Sequence, residues 1–377
     1  MSSRIFVATR KGLFTVRRSN SHASGWEVAQ AAFVGDPVTM FMRDPRDGRQ
    51  YAALRHGHFG VKLHASSDDG RTWNETTTPV YPEKPADVED VIDPMRNKPI
   101  PWTLDMIWSL AAAGADQPGV LWCGTLPGGL FRSDDHGKSW SLNRFLWETP
   151  ARRSWFGGGF DLPGIHSICV HPQDSNRVTV GVSCGGAWVT ENGGETWENR
   201  TKGMYANYMP PEQRENPDIQ DPHLVAQCRS NPDALWAQHH NGVFRSTDAG
   251  RQWHDIPSAG PSTFGFAVAV HPNDGDTAWL VPALSDEKRV PVDGKVVVTR
   301  TRDGGKTFDT LRSGLPQTNA YDLTFRHALD VDETGDLLAF GSTTGSLWIS
   351  EDQGDTWRTV TTNLPPVYCV DFDKSGA

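Results

Sequence analysis

Seven of the thirteen histidines in this 377-residue chain sit where imidazole chemistry could be organised: His56 and His58 either side of one glycine, His166, His223, the adjacent His239 and His240, and His327. Converging imidazoles can hold a divalent metal, relay protons or act as general acid and base near neutral pH. Two segments add carboxylates, aromatic faces and guanidinium groups. Residues 144–163 carry Glu148, Arg152, Arg153, Trp155 and Asp161, and residues 201–222 carry Tyr205, Asp218 and Asp221. Paired carboxylates are the groups that general acid and base work needs. Arg10, Arg55, Arg152 and Arg153 are candidate anion clamps, and Trp155 is a candidate stacking surface. The five cysteines are odd in number, lack any CxxC and lie mostly in apolar runs, which reads as buried free thiols; Cys184, beside two glycines, is the candidate for an accessible one.

Positioning these groups falls to a repeated element. The stretch SSDDGRTW, residues 66 to 73, returns as SDDHGKSW from Ser133, TENGGETW from Thr190, STDAGRQW from Ser246, TRDGGKTF from Thr301 and SEDQGDTW from Ser350. An eroded copy runs from Lys11-Gly12 through a longer turn to Gly25-Trp26. The closing aromatics Trp26, Trp73, Trp140, Trp197, Trp253, Phe308 and Trp357 are 47 to 67 residues apart, a period that marks a repeat architecture. Between copies, short β-branched and aromatic runs alternate with Gly, Pro, Asn and Asp; IHSICV, RVTVGVS, AWVTE and TWENRT read as a four-stranded antiparallel meander.

Such a meander is one blade of a propeller. The first unit has strands two to four (RIFVATR, GLFTVRR, GWEVAQ) and no inner strand, whereas Val367 to Phe372 is an inner strand without partners. Pairing them closes the ring and removes both sheet edges. The expected fold is therefore all-β, a single seven-bladed propeller domain over residues 1–377. Each octet becomes the hairpin turn between the third and fourth strands, with Asp68, Asp135, Asn192, Asp248, Asp303 and Asp352 bonding local backbone as structural residues.

This pattern resembles the Asp-box (BNR) repeat of sialidases, xyloglucanases, sortilin-like receptors and a photosystem assembly factor. The resemblance implies that the boxes are structural and lie on the face away from the usual ligand site. It also implies a propeller mouth that can carry aromatic platforms, arginines for carboxylates and a carboxylate acid/base pair. The chain departs from true sialidases in having seven units and in reading Arg4-Ile5-Phe6 where that family has Arg-Ile-Pro.

In a four-stranded blade, the loop between strands two and three shares a face with the loop to the next blade. Three of the latter are long (about residues 76–103, 144–163 and 201–222), and long insertions on one face of a repeat protein form its binding surface. Aligned inner strands put His166 and His327 at equivalent positions in blades four and seven, on opposite sides of the ring, with Tyr368 matching them and His223 opening blade five. His56, His58, His239 and His240 fall in or beside strand-two to strand-three turns of that same face. The function expected is a glycosidase-like hydrolase or a carbohydrate- or polar-ligand-binding propeller. Its site would be the central mouth, with Glu148, Asp161, Asp218, Asp221, His166 and His327 as catalytic candidates. Arg10, Arg55, His56, His58, Arg152, Arg153, Trp155, Tyr205, His239, His240 and Tyr368 are the ligand-binding candidates. Two other readings stand beside it: a non-catalytic protein-assembly platform, and a hydrolase or lyase using a divalent metal held in the central channel by His166, His223 and His327.

Formal charge is -10 with a pI near 5.7, which offers no electrostatic case for nucleic acid or an anionic membrane surface. No apolar run reaches transmembrane length, and the apolar stretch after Arg4 is too short for a signal-peptide core, so the expected location is cytoplasmic.

Overall fold

The computed structural model describes residues 2–20, 22 and 24–374; the very ends of the expected 1–377 span lie outside them. Seven antiparallel sheets of four strands each are present, joined in a ring by contacts between successive inner strands. The inner strands of blades two to seven are Val38–Arg43, Met106–Ala112, Ile165–Val170, Pro222–Gln227, Gly265–Val270 and Leu329–Val331. The first blade takes its inner strand from the other end of the chain: Val367–Phe372 pairs with Arg4–Thr9, which pairs with Gly12–Arg18 and then Trp26–Ala32. The chain is thus a seven-bladed β-propeller closed as expected. Among the described residues, no helix is long and apolar enough to cross a membrane.

The boxes occupy the turns between third and fourth strands. In the second blade, Ser66 Oγ accepts the Gly70 amide at 2.9 Å, while Asp68 accepts the amide and hydroxyl of Thr72 at 2.9 and 2.6 Å. Ser133 and Asp135, Thr301 and Asp303, and Ser350 and Asp352 repeat this arrangement. These bonds hold the carboxyls of Asp68, Asp135 and Asp303 down to about 2, an effect of the turn and not of any reaction. In three blades the closing tryptophan reaches back to the preceding blade. Trp140 Nε1 donates to Thr77 O at 3.0 Å, Trp197 Nε1 to Asn143 Oδ1 at 3.1 Å, and Trp253 Nε1 to Arg200 O at 2.9 Å. A box therefore closes its own hairpin, and in these three blades it also ties two blades together.

One feature of the inner strands has no counterpart in the repeat motif. In six blades, the pairing between first and second strand slips near the mouth end, a β-bulge that sets residues outside the ladder. Those residues are Tyr368, Thr39, Trp108, His166, His223 and, with Ala267, Phe266. A bulge re-aims the side chain it carries, and five of these six side chains line the cavities at the mouth.

Candidate functional site

The mouth lies on the face of the strand-two to strand-three turns, opposite the boxes. It holds a cavity of about 490 Å³ walled by Trp108, Phe160, Phe266, Phe325 and Tyr368, with Arg10, Arg55, Arg289 and Arg326 among them. A smaller chamber of about 220 Å³ shares Gly159, Phe266, Arg289 and Arg326 with it and is lined further by Cys184, Tyr208, Asp221, His223, His240 and Asp286. His327 and Arg326 form the floor, since both also line a cavity of about 450 Å³ that opens on the other face.

Arg326 is the most deeply placed charge among the site residues that the sequence did not single out. Of the carboxylates that line the smaller chamber with it, Asp286 is paired with Arg289, and Asp221 favours the charged guanidinium through space without forming an ion pair with it. Arg326 itself is 7% exposed, its guanidinium lies 4.9 Å from the Trp108 ring and 5.2 Å from Phe266, and its Nε and Nη2 have no hydrogen-bond partner among the described residues. Burial pushes this group down to about 10, so it stays cationic at neutral pH. Stacking on two aromatic faces offsets part of the desolvation, but an unpaired buried cation is costly.

In the smaller chamber, Asp221 Oδ2 faces His223 Nε2 at 3.5 Å and His240 Nδ1 at 3.6 Å, while its Oδ1 accepts the Cys184 amide at 3.2 Å. Although burial opposes ionisation, the two imidazoles hold the Asp221 carboxyl well below the usual range, and Asp221 in turn raises His240 against the effect of burial. His239, pushed down to about 3 by burial, accepts the Asp221 amide at 3.0 Å and so positions it.

His166 and His327 meet across the ring instead of facing a shared ion. His327 Nε2 donates to the His166 carbonyl at 2.7 Å, and His166 Nδ1 pairs with Ser167 Oγ at 2.8 Å. The expected metal set of His166, His223 and His327 is accordingly not assembled; His223 instead joins Asp221 and His240. Burial lowers His327 to about 4 and His166 well below the ordinary imidazole range, with Arg326 adding to both shifts. As pH falls through about 6.5 the unfolded chain takes up a proton at each site that the folded chain refuses until about pH 4 at His327. Folding stability should therefore fall by about 1.4 kcal/mol per pH unit for each of the two histidines between these limits. Urea unfolding across that range should give a slope for His327→Gln smaller by one proton than for wild type; equal slopes would mean His327 is already charged in the native state.

The long loops place most of the other candidates elsewhere. Glu148 pairs with Arg144 at 2.8 Å and the largely exposed Asp161 with Arg96 at 3.2 Å. Asp218 accepts Asn199 Nδ2 at 3.0 Å, and Tyr205 donates to Asp255 at 2.9 Å. Arg152 is buried over Trp147, whose carbonyl it bonds at 2.6 Å, and Arg153 lies out near Glu89. Trp155 is fully buried against Trp188, with no face for a ligand, and Cys184 is buried too. His56 approaches Asp36 at 3.5 Å and His58 stacks edge-on with Phe59. None of these except Cys184 lines either mouth cavity. What the mouth does gather is Asp221, His223, His240, His327, Arg10, Arg55 and Tyr368 from the sequence-based set, plus Arg326, Arg289, Trp108 and Phe266 from outside it. Aligning the bulged inner-strand positions, which groups Thr39, Trp108, His166, His223, Phe266 and Tyr368, was the available signal for the aromatic wall.

The BNR/Asp-box repeat family matches at residues 131–142, the box of the third blade. No curated protein matches the sequence. Among solved structures, an ancestral GH74 enzyme is similar with a TM-score of 0.58 and 18% identity, covering 89% of this chain and 38% of that one. A GH74 enzyme of Niastella koreensis gives 0.51 at 14% identity, covering 98% of this chain and 68% of the enzyme. YCF48 bound to D1 peptide gives 0.52 at 14% identity over 86% and 83% of the two chains. The chain therefore spans well under half the length of the first of these proteins. Identities this low extend to the shared propeller and no further.

Proposed function

For a seven-bladed β-propeller built on BNR/Asp-box repeats, we propose that the mouth binds a small carboxylate-bearing polar ligand of the sugar-acid class. The observation that carries this reading is Arg326, a buried guanidinium without a counter-ion at hydrogen-bonding distance, set between aromatic faces in a cavity large enough for such a molecule. A carboxylate would complete its charge-assisted bonds, and Trp108, Phe266 and Tyr368 would cover the sugar's apolar faces. A concave chamber with converging charges supports a small ligand over an assembly platform, which needs a broad exposed patch. Glycoside hydrolysis by the loop carboxylates has less support, because Glu148, Asp161 and Asp218 lie off the cavities.

Calorimetry with glucuronate and galacturonate, against glucose and galactose, tests the reading. The uronates should bind and the neutral sugars should not. Arg326→Met should weaken uronate binding by about 10- to 150-fold, the loss of about 1.5–3 kcal/mol expected for hydrogen bonds to a charged group. The same variant should melt no lower than wild type without ligand, since it removes a buried unpaired charge. Equal binding of acids and neutral sugars, or uronate binding indifferent to Arg326→Met, would sink the proposal.

A further inference from the structure

We infer that Asp221, His223 and His240 form a binding site for a divalent transition-metal cation, opening into the smaller mouth chamber. The inference stands on donor-atom geometry and holds whether or not the sugar-acid reading does. The three donor atoms lie within 4.8 Å of one another. His223 Nε2 and His240 Nδ1 are 3.5 and 3.6 Å from the same oxygen, Asp221 Oδ2. Those separations exceed an ordinary N–H···O hydrogen bond, about 2.7–3.2 Å. They match the spacing of about 3.3–3.6 Å between two donors held at about 2.0–2.2 Å around one cation at near-tetrahedral angles.

The protons point the same way. His223 Nδ1 lies 2.6 Å from the Gly265 carbonyl, which can only accept, so Nδ1 carries a proton and Nε2, when the ring is neutral, presents a lone pair toward the carboxylate. A histidine that gives its second nitrogen to a backbone carbonyl is the usual outer-shell arrangement of a metal ligand. The rings are held in place. His223 stacks on Phe266 with centroids 4.6 Å apart, and His240 meets Tyr208 edge-on at 4.9 Å. Asp221 is fixed through the Cys184 amide on Oδ1 and through its own amide on His239. Two imidazoles and one carboxylate suit zinc, manganese or iron(II), and three protein donors leave coordination positions free on the chamber side. Arg326 lines the same chamber without a partner atom on Nε or Nη2, so an anion bound there would be shared between the cation and the guanidinium.

Among the described residues one other grouping could hold an ion, Asp44 with Asp47 and His136, and it differs in that Asp44 is already paired with Arg46 at 2.6 Å. It serves as an internal control. Full-length protein without a histidine tag is stripped with chelator and titrated with zinc by calorimetry and with cobalt by visible absorption, in the absence of any organic ligand. One equivalent should bind with ligand-field bands typical of nitrogen and oxygen donors. Asp221→Asn and, at the chamber rim, His240→Gln should each weaken binding by at least about 100-fold, while Asp47→Asn should leave it unchanged. His240→Gln keeps the test sharp if Asp221→Asn misfolds. No binding to wild-type protein, or binding that survives His240→Gln with a wild-type melting curve, would overturn the site and leave a proton between Asp221 and His223 as the alternative. Uronate binding to the stripped protein is scored separately, so the two proposals fail independently.

Discussion

A chain ending at Pro366 is expected to lose cooperative folding. The segment removed contains the inner strand of the first blade, and Val367, Cys369, Val370 and Phe372 are all buried in it. Val367, Val370 and Phe372 share one core with Ile5, Val7, Leu347 and Ile349, and Cys369 packs in the neighbouring core with Phe41 and Leu54. Burial of an apolar side chain contributes about 1.5–3 kcal/mol, so four such side chains amount to about 6–12 kcal/mol, comparable with the whole stability of an ordinary domain, about 5–15 kcal/mol. The loss does not end there. Arg4–Thr9 would become an open edge, the Val370 amide would leave the His327 carbonyl, and the pairs of Asp373 with Arg4 and Arg43 would go. Circular dichroism during heating should show a broad, early transition with dye-accessible apolar surface, and adding a peptide of residues 367–374 should restore part of the sharp transition. A truncated chain that melts like the full one would show that ring closure contributes little.

Gly345→Ala is expected to cost several kcal/mol, although it only exchanges a hydrogen for a methyl group. Gly345 turns the chain between the second and third strands of the seventh blade at φ +92°, where an L side chain is strained by about 1–2 kcal/mol. A Cβ there would also run into the Leu364 carbonyl, and the Leu364 amide is itself bonded to the Gly345 carbonyl at 3.0 Å. The two backbones cannot separate without moving the segment that delivers the closing strand three residues later. Gly35 isolates the conformational part. Its φ is +103°, yet nothing lies within 4 Å of an added Cβ, so Gly35→Ala should show the conformational strain alone. Denaturant midpoints should place Gly345→Ala below wild type by at least about twice the shift of Gly35→Ala. Equal shifts would mean that the Leu364 segment yields easily.

The architecture was legible because its signals are local. A turn that needs a left-handed glycine, a hydroxyl and an Asp or Asn at set offsets writes itself into eight consecutive residues, and the closing aromatic records the blade period. Ring closure was legible for the same reason, since an inner-strand pattern at Val367–Phe372 and a missing inner strand before Arg4 are both readable in one dimension. The candidate site was legible only in part. Its histidines on inner strands and turns were visible, as were Asp221 and Tyr368. The long loops misdirected the reading, because the ion pairs of Glu148 with Arg144 and Asp161 with Arg96 depend on how those loops fold back.

By itself, then, the sequence determined the repeat, the blade count, the closing strand and the structural role of the box carboxylates, since each follows from backbone conformation and short-range hydrogen bonding. Tertiary structure alone decided which side chains share the mouth. The inner-strand bulges turn Trp108, His223 and Phe266 toward the cavities, His327 is spent on the His166 carbonyl across the ring, and Arg326 is left buried with no partner on Nε or Nη2. Those outcomes rest on contacts between blades dozens to hundreds of residues apart, and pairing, burial and charge compensation at such distances leave no periodic mark on the chain.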